Sequence, residues 1–177
     1  YFESAFVSDV LTAISQESNI PKGTIKTSIL IENILATFQV AEMLHAMKEY
    51  AIAANVGRWD QTASWYHVFR NHPTRGLPDR MLVTMVLPFM MAYQKEVLRV
   101  CSEHGAQPMG GMEANVPTRE ERESSRPAYD KRIAAVQADA RREAELGFYG
   151  KWSAHPATVQ LIREEFEKHM GGKPSQT

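Results

Sequence analysis

Two carboxylates stand where an α/β fold most readily builds chemistry. Glu32 follows an apolar, β-branched run, Thr24 to Ile31, and Asp60 follows a second run, Ala53 to Trp59. In parallel sheets flanked by helices, the carboxyl ends of neighbouring strands open on one crevice, so side chains just past two adjacent strands converge there. A carboxylate pair in that place suits a hard divalent cation. Mg²⁺ takes one or two protein carboxylates and leaves its other positions to water and substrate oxygens. The same residues also fit a plainer role, as acids in first helical turns that complement the helix dipole. Spacing alone leaves both readings open.

The elements that would hold the pair follow from periodicity and turn chemistry. Phe6, Val10, Ala13 and Ile14 recur at helical spacing before the turn Ile20-Pro21-Lys22-Gly23. The run Thr24 to Ile31 shows little face alternation and predicts a strand covered on both sides. Val40, Met43, Leu44, Met47 and Ala51 describe one apolar face of a second helix. After the strand Ala53 to Trp59, Asp60 is expected to cap a helix through Phe69, with Trp65, Val68 and Phe69 inward. Met81 to Val86 is a strand candidate. Pro88 opens a helix to His104 that Gly105 stops, and Gln107 to Met112 is the next strand, carrying Gly110-Gly111. Pro117 to Pro127 is charged and free of apolar residues, which predicts an exposed loop. A helix with Tyr129, Ile133, Val136 and Ala140 on one face ends near Gly147. A last strand, Lys151 to His155, precedes a helix opened by Pro156, with Val159, Ile162 and Phe166 inward. About five strands thus alternate with helices, the pattern of an α/β fold with a parallel sheet. An eight-stranded barrel takes ~250 residues. The expectation is therefore a partial (β/α) TIM-barrel-like arrangement over residues 1–170, followed by a disordered tail, 171–177.

Composition narrows the function classes. The 177 residues fit one domain with a sizeable core, and 44% of them are hydrophobic. Twenty basic against 21 acidic residues leave a net charge of −1, so no electrostatic footprint for nucleic acid or anionic membrane is present. The longest apolar run, Leu82 to Tyr93, is interrupted by Thr84 and Pro88 and is too short for a membrane span, which needs ~20 residues. The single cysteine, Cys101, excludes an internal disulfide and lies on an apolar helical face, where a buried thiol is expected. No targeting signal is visible in the chain, which leaves cytoplasm or peroxisome as the expected location.

The stretch Gly23-Thr-Ile-Lys-Thr-Ser-Ile-Leu-Ile-Glu-Asn-Ile-Leu-Ala-Thr-Phe, followed by Asn55-Val-Gly-Arg-Trp-Asp60, resembles the signature region of malate synthases. Pro78-Asp-Arg, Val83-Thr-Met, Pro88-Phe-Met, Ala92-Tyr and Met109-Gly-Gly-Met follow in the family's order, as do Trp152 and Ala154-His-Pro. The resemblance covers nearly the whole chain and matches the middle to late portion of the family's barrel. Its early strands and C-terminal region, which carry a substrate arginine and the proton-abstracting carboxylate, have no counterpart here. The sequence departs from the family's pattern at Ala54-Asn55, at Gln61, where an aromatic residue is usual, and at Gly147-Phe-Tyr-Gly150.

The resemblance implies an acyltransferase that condenses acetyl-CoA with glyoxylate and water to malate and CoA, the glyoxylate-bypass reaction, with Mg²⁺ as cofactor. Glu32 and Asp60 would be the metal's protein ligands. Backbone N–H groups around Gly57, Trp59 and Asp60 would bind the glyoxylate carboxylate, and Trp152 would line the acetyl-CoA side, with a plain core tryptophan as the alternative. Arg58 is the candidate for neutralising substrate charge, against a structural ion pair. His155 is expected to position or pack, and Glu113 to be a solvated loop carboxylate. His45, His67, His72, His104 and His169 share no metal-ligand spacing. Three readings remain open: a segment of a malate synthase; a shortened relative repurposed as a lyase, aldolase or cyclase; and a non-catalytic remnant. A homo-oligomer that hides open sheet edges is expected for the last two.

Overall fold

The computed structural model describes residues 1–173 and divides the chain into two compact units, Tyr1–Pro108 and the residues from Met109 onward, where composition predicts one domain. The first unit holds α1 (Phe2–Glu17), β1 (Thr27–Ile31), α2 (Ile34–Thr37), α3 (Val40–Ala46), β2 (Ala51–Val56), α4 (Arg58–Phe69) and α5 (Pro88–His104). β1 and β2 pair in parallel, with Leu30 opposite Asn55 and Ile31 opposite Val56. α5 packs on β2 through a buried face of Met90, Tyr93, Val97, Val100 and Cys101. Pro88 starts this helix and Gly105 ends it in the left-handed region (φ 67°), as the sequence predicts. Burial pushes the Cys101 thiol up to about 12, so it is inert as a nucleophile at neutral pH.

Several expectations for this unit change: the second helix ends at Ala46 and Ala51, counted on its apolar face, opens β2 instead, while Gly57 rather than Asp60 is the N-cap of α4. β1 alternates: Ile29 and Ile31 are buried, whereas Leu30 is 44% exposed. β-branched residues suit a pleated strand whether one face or both are covered, so their run carried no count of covering layers. The apolar positions of α1 and α4 are likewise less buried than their spacing predicts. Phe6, Val10 and Ile14 are exposed, as is Val68, while Gln61 and Thr62 are the buried side chains of α4. Met81 to Val86 is not a strand. The Asp79 carboxylate accepts from Met81 N–H, and Leu82, Val83 and Leu87 donate back three residues, so local turns consume the donors a ladder would need.

The second unit carries the greater part of β3 (Gln107–Glu113), then α6 (Arg119–Ser124), α7 (Arg126–Leu146), β4 (Gly150–Ser153) and α8 (Pro156–Met170). β3 and β4 pair in parallel, with Gly110 opposite Lys151 and Met112 opposite Trp152. Val136, Ala140, Ala144, Phe148, Ile162 and Phe166 form its apolar core. The expected loop at Pro117 to Pro127 instead contains α6. Its Thr118 hydroxyl accepts from Glu121 N–H while the Glu121 carboxylate accepts from Thr118 N–H, a reciprocal cap that nucleates a helix without apolar residues. Of the expected tail, Gly171 closes α8, and residues 174–177 lie outside the described residues. The α/β architecture with parallel strand pairs is as expected, with four strands rather than five among the described residues.

Candidate active site

The site is built where β1 and β2 end. Ile31 and Val56 are the last register partners, so Glu32 and Gly57 leave the sheet side by side. Gly57 is the N-cap of α4 in an extended conformation (φ −135°, ψ 122°), and Asp60 falls in the first turn. A side chain at position 57 has no room: a Cβ there would lie 2.0 Å from Glu32 Oε1 and 2.3 Å from its Cδ. The glycine thus makes the space the Glu32 carboxylate occupies. Glu32 is half-buried and Asp60 exposed. Burial, and then the Asp60 carboxylate within hydrogen-bonding reach, raise the Glu32 carboxyl above the ordinary glutamate range. Among the described residues no ion pair reaches either carboxylate.

Two converging oxygen donors with no basic partner are the donor set a hard cation takes. The described residues hold no group of three or more His, Cys, Asp or Glu placed to bind a metal. A site here therefore offers two protein ligands and open positions, which fits Mg²⁺ and not structural zinc. The carboxylates border an open cleft of about 530 Å³, also lined by Asn33, Leu35, Ser64 and His67. Asn33 caps α2 by accepting from Leu35 N–H at 2.8 Å, and Ser64 of α4 accepts from Ile34 N–H at 3.1 Å, which fixes the residues after β1 against α4.

The remaining expected site residues are placed as follows. Gly57 N–H donates to the Tyr93 hydroxyl at 2.9 Å, so it is already engaged within the protein. Trp59 and Asp60 lie in the first turn of α4, where backbone N–H groups point along the axis without helical partners. The Trp59 side chain is 63% exposed. Arg58 is half-buried and its carbonyl accepts from the Thr62 hydroxyl at 2.7 Å. Trp152, on β4, is 42% exposed. His155 is exposed and caps α8, its Nδ1 accepting from Ala157 N–H at 3.1 Å.

Glu113 overturns its expectation. It is 2% exposed, and one carboxylate oxygen lies 3.6 Å from the buried Lys151 ammonium while the other accepts from Asn115 N–H at 2.8 Å. Its partner lies 38 positions along the chain, beyond the reach of any local pattern. Tyr93 was also missed as part of the site. Nothing local in the sequence marks the destination of its hydroxyl.

The order of strands and helices, with carboxylates at the ends of paired parallel strands, defines the class as an α/β fold built from β/α units. A model of the malate synthase TIM barrel domain matches residues 1–177, and the chain belongs to that family. Malate synthase A of Escherichia coli (strain K12) is 37% identical over 174 residues, covering 98% of this chain and 32% of the relative. The glyoxysomal malate synthase of Zea mays is 37% identical over 98% of this chain and 30% of its own length. The malate synthase of Streptomyces clavuligerus is 39% identical over 98% and 32%. The chain thus spans about a third of the curated relatives it matches. Among solved structures, a citrate lyase from Burkholderia xenovorans LB400 superposes with a TM-score of 0.65 at 21% identity, over 92% of this chain and 43% of that one. The citrate lyase beta subunit complexed with oxaloacetate and magnesium from M. tuberculosis gives 0.57 at 16% identity, over 80% and 52%. These likenesses show the fold.

Proposed function

We propose that the chain takes part in a malate synthase reaction, the Mg²⁺-dependent condensation of acetyl-CoA with glyoxylate and water to malate and CoA. The observation that carries this reading is the convergence of Glu32 and Asp60, with no ion pair to either among the described residues, at paired strand ends of a malate synthase TIM barrel domain. Glu32 and Asp60 hold the cation. Bound there, Mg²⁺ supplies the positive charge that polarises a carbonyl and offsets the negative charge developing on its oxygen. The Trp59 and Asp60 N–H groups, at the positive end of α4, receive the glyoxylate carboxylate. Gly57 keeps the Glu32 carboxylate in place by leaving it room. Arg58 adds positive charge beside the anionic substrate. Trp152 offers its exposed indole to acetyl-CoA. Cytoplasm or peroxisome is the location this reading implies; the Zea mays relative is described as glyoxysomal. No described helix is long and apolar enough to cross a membrane.

The test is CoA release from acetyl-CoA and glyoxylate by this 177-residue chain, with and without Mg²⁺, beside Asp60→Ala. Turnover that needs Mg²⁺ and disappears in Asp60→Ala supports the reading. Folded, Mg²⁺-binding protein that releases no CoA rejects the activity for these residues alone. Light scattering on the same sample reads the expected self-association.

A further inference from the structure

Tyr93 is buried, at 4% exposure, and its hydroxyl lies between the ends of the two strands that carry the site. It donates to the carbonyl of Ile31, the residue bonded to Glu32, and accepts from the N–H of Gly57, three residues before Asp60. The β1–β2 ladder has its last register pair at Ile31 and Val56, so the backbone just beyond has no ladder partner. It is also where two like charges push the segments apart. We propose that the Tyr93 hydroxyl is a clasp that sets the separation of the Glu32 and Asp60 carboxylates and thereby the affinity of the site for Mg²⁺.

The hydroxyl suits this role because it is donor and acceptor at once. Donation to Ile31 turns its lone pairs toward Gly57, so each bond orients the other. α5 supplies a rigid base: Val97 and Cys101, one and two turns on, are fully buried. Burial raises the phenol's pKa, so it keeps its proton at any physiological pH. Tyr93 lies outside the ligand set and acts through backbone. It is therefore a positioning residue, comparable to the outer-shell partners whose loss weakens metal sites ~10- to 100-fold. This inference rests on the assignment of Glu32 and Asp60 as cation ligands.

Calorimetric titration of the 177-residue chain with MgCl₂, well below its unfolding temperature, tests it. Tyr93→Phe keeps the ring and removes the clasp; its Mg²⁺ dissociation constant is expected to rise ~10- to 100-fold. Val97→Ala, which loosens the same helix without touching the clasp, is expected to stay within about twofold of the unaltered protein. A Tyr93→Phe variant that unfolds more readily but binds Mg²⁺ as tightly as the unaltered chain overturns the clasp and leaves the site standing. Unaltered chain and Asp60→Asn that both bind no Mg²⁺ overturn the site, and the clasp with it. A variant-free measurement covers a Tyr93→Phe that fails to fold. By reciprocity, Mg²⁺ should slow hydrogen exchange at Gly57 N–H more than at Val97 N–H, and equal slowing overturns the proposal.

Discussion

The two units each gather carboxylates, and they neutralise them in opposite ways. In the second unit, Glu113, Asp139 and Glu143 surround Lys151, whose side chain is 1% exposed and whose ammonium ion-pairs with all three. Arg142 adds a second cation, 2.9 Å from Asp139 and 3.2 Å from Glu143. In the first unit, Glu32 and Asp60 converge with no ion pair to either among the described residues. Burial of charge is tolerated only with compensation. The cluster that brings its own counter-charge is complete as folded, and the pair without one has an open demand for positive charge. That contrast separates an internally neutralised acidic cluster, two of whose carboxylates stand on α7, from the pair proposed as a ligand site.

Removing the internal cation should have the largest effect. Lys151→Ala leaves Glu113 and Glu143 buried beside one another, and breaking such a cluster costs about 3–5 kcal/mol. Urea unfolding reads it, and a loss below about 1 kcal/mol would break the comparison. The two glycines sharpen it. A Cβ at Gly110 would lie 2.0 Å from Glu143 Oε2 and 2.6 Å from its Cδ, much as a Cβ at Gly57 would meet Glu32. Glu143 is pinned by Lys151, by Arg142 and by Gly111 N–H at 3.2 Å, whereas Glu32 has no such anchor. Gly110→Ala should therefore cost stability, about 3 kcal/mol for overpacking a held group. Gly57→Ala should cost less than about 1 kcal/mol but weaken Mg²⁺ binding by displacing a ligand.

Adding the cation externally is the converse test. Mg²⁺ at 100 times its dissociation constant should stabilise the unaltered chain by about 2.7 kcal/mol. That corresponds to a rise of about 5–10 °C in Tm for a protein of this size. Lys151→Ala should retain the increment, because its cluster is not the binding site, and Asp60→Asn should lose it. Thermal scans with and without Mg²⁺ measure both, and an increment that survives Asp60→Asn places the cation elsewhere.

Acid should act on the internal cluster. Burial raises the Glu143 carboxyl to about 7, with Lys151 only partly offsetting it. The folded protein thus holds this proton more tightly than the unfolded chain does. The stability this proton contributes is fully present below the unfolded value near 4.5 and is lost as pH rises through about 7. Relative to Glu143→Gln, the unaltered chain should gain about 2 kcal/mol between pH 7 and 4.5. Parallel pH curves for the two proteins would show that Glu143 does not titrate in this window.

The same contrast explains what the sequence made legible. Glu32, Gly57 and Asp60 stand at strand-to-helix boundaries, which β-branched runs and helix periodicity mark locally, and Pro88, Gly105 and Gly147 punctuate the helices where expected. The Lys151 cluster joins β3, α7 and β4 across 38 residues, and no spacing rule links those positions. Tyr93 presents the same difficulty, since its partners Ile31 and Gly57 lie 62 and 36 positions away. Two misses had local signals. Thr118-Arg-Glu-Glu121 is a capping box within the charged run, and Asp79 before Met81 is a side-chain turn that competes with a strand. The apolar face of α1 shows the remaining limit: period identifies a face, but not the layer that covers it.

The smallest predicted effect has the most discriminating sign. Asp60→Asn removes a like charge that, after burial, raises the cost of ionising Glu32. Asp60 is exposed, so solvent screens most of the repulsion, and the relief is about 0.5 kcal/mol in the absence of Mg²⁺. Asparagine is as good as aspartate in hydrogen bonding near a helix start but gives up the charge–dipole attraction, which limits the gain further. The expected result is a variant slightly more stable than the parent without Mg²⁺ and less stable than the parent with it. Charge removal at Lys151 destabilises under both conditions. A crossing of the two stability curves as Mg²⁺ is added is the signature of a ligand site that keeps its carboxylates at the expense of the metal-free fold. If Asp60→Asn lies below the parent throughout, Asp60 serves as a helix-dipole residue, the plainer reading that its position in the first turn of α4 also allows.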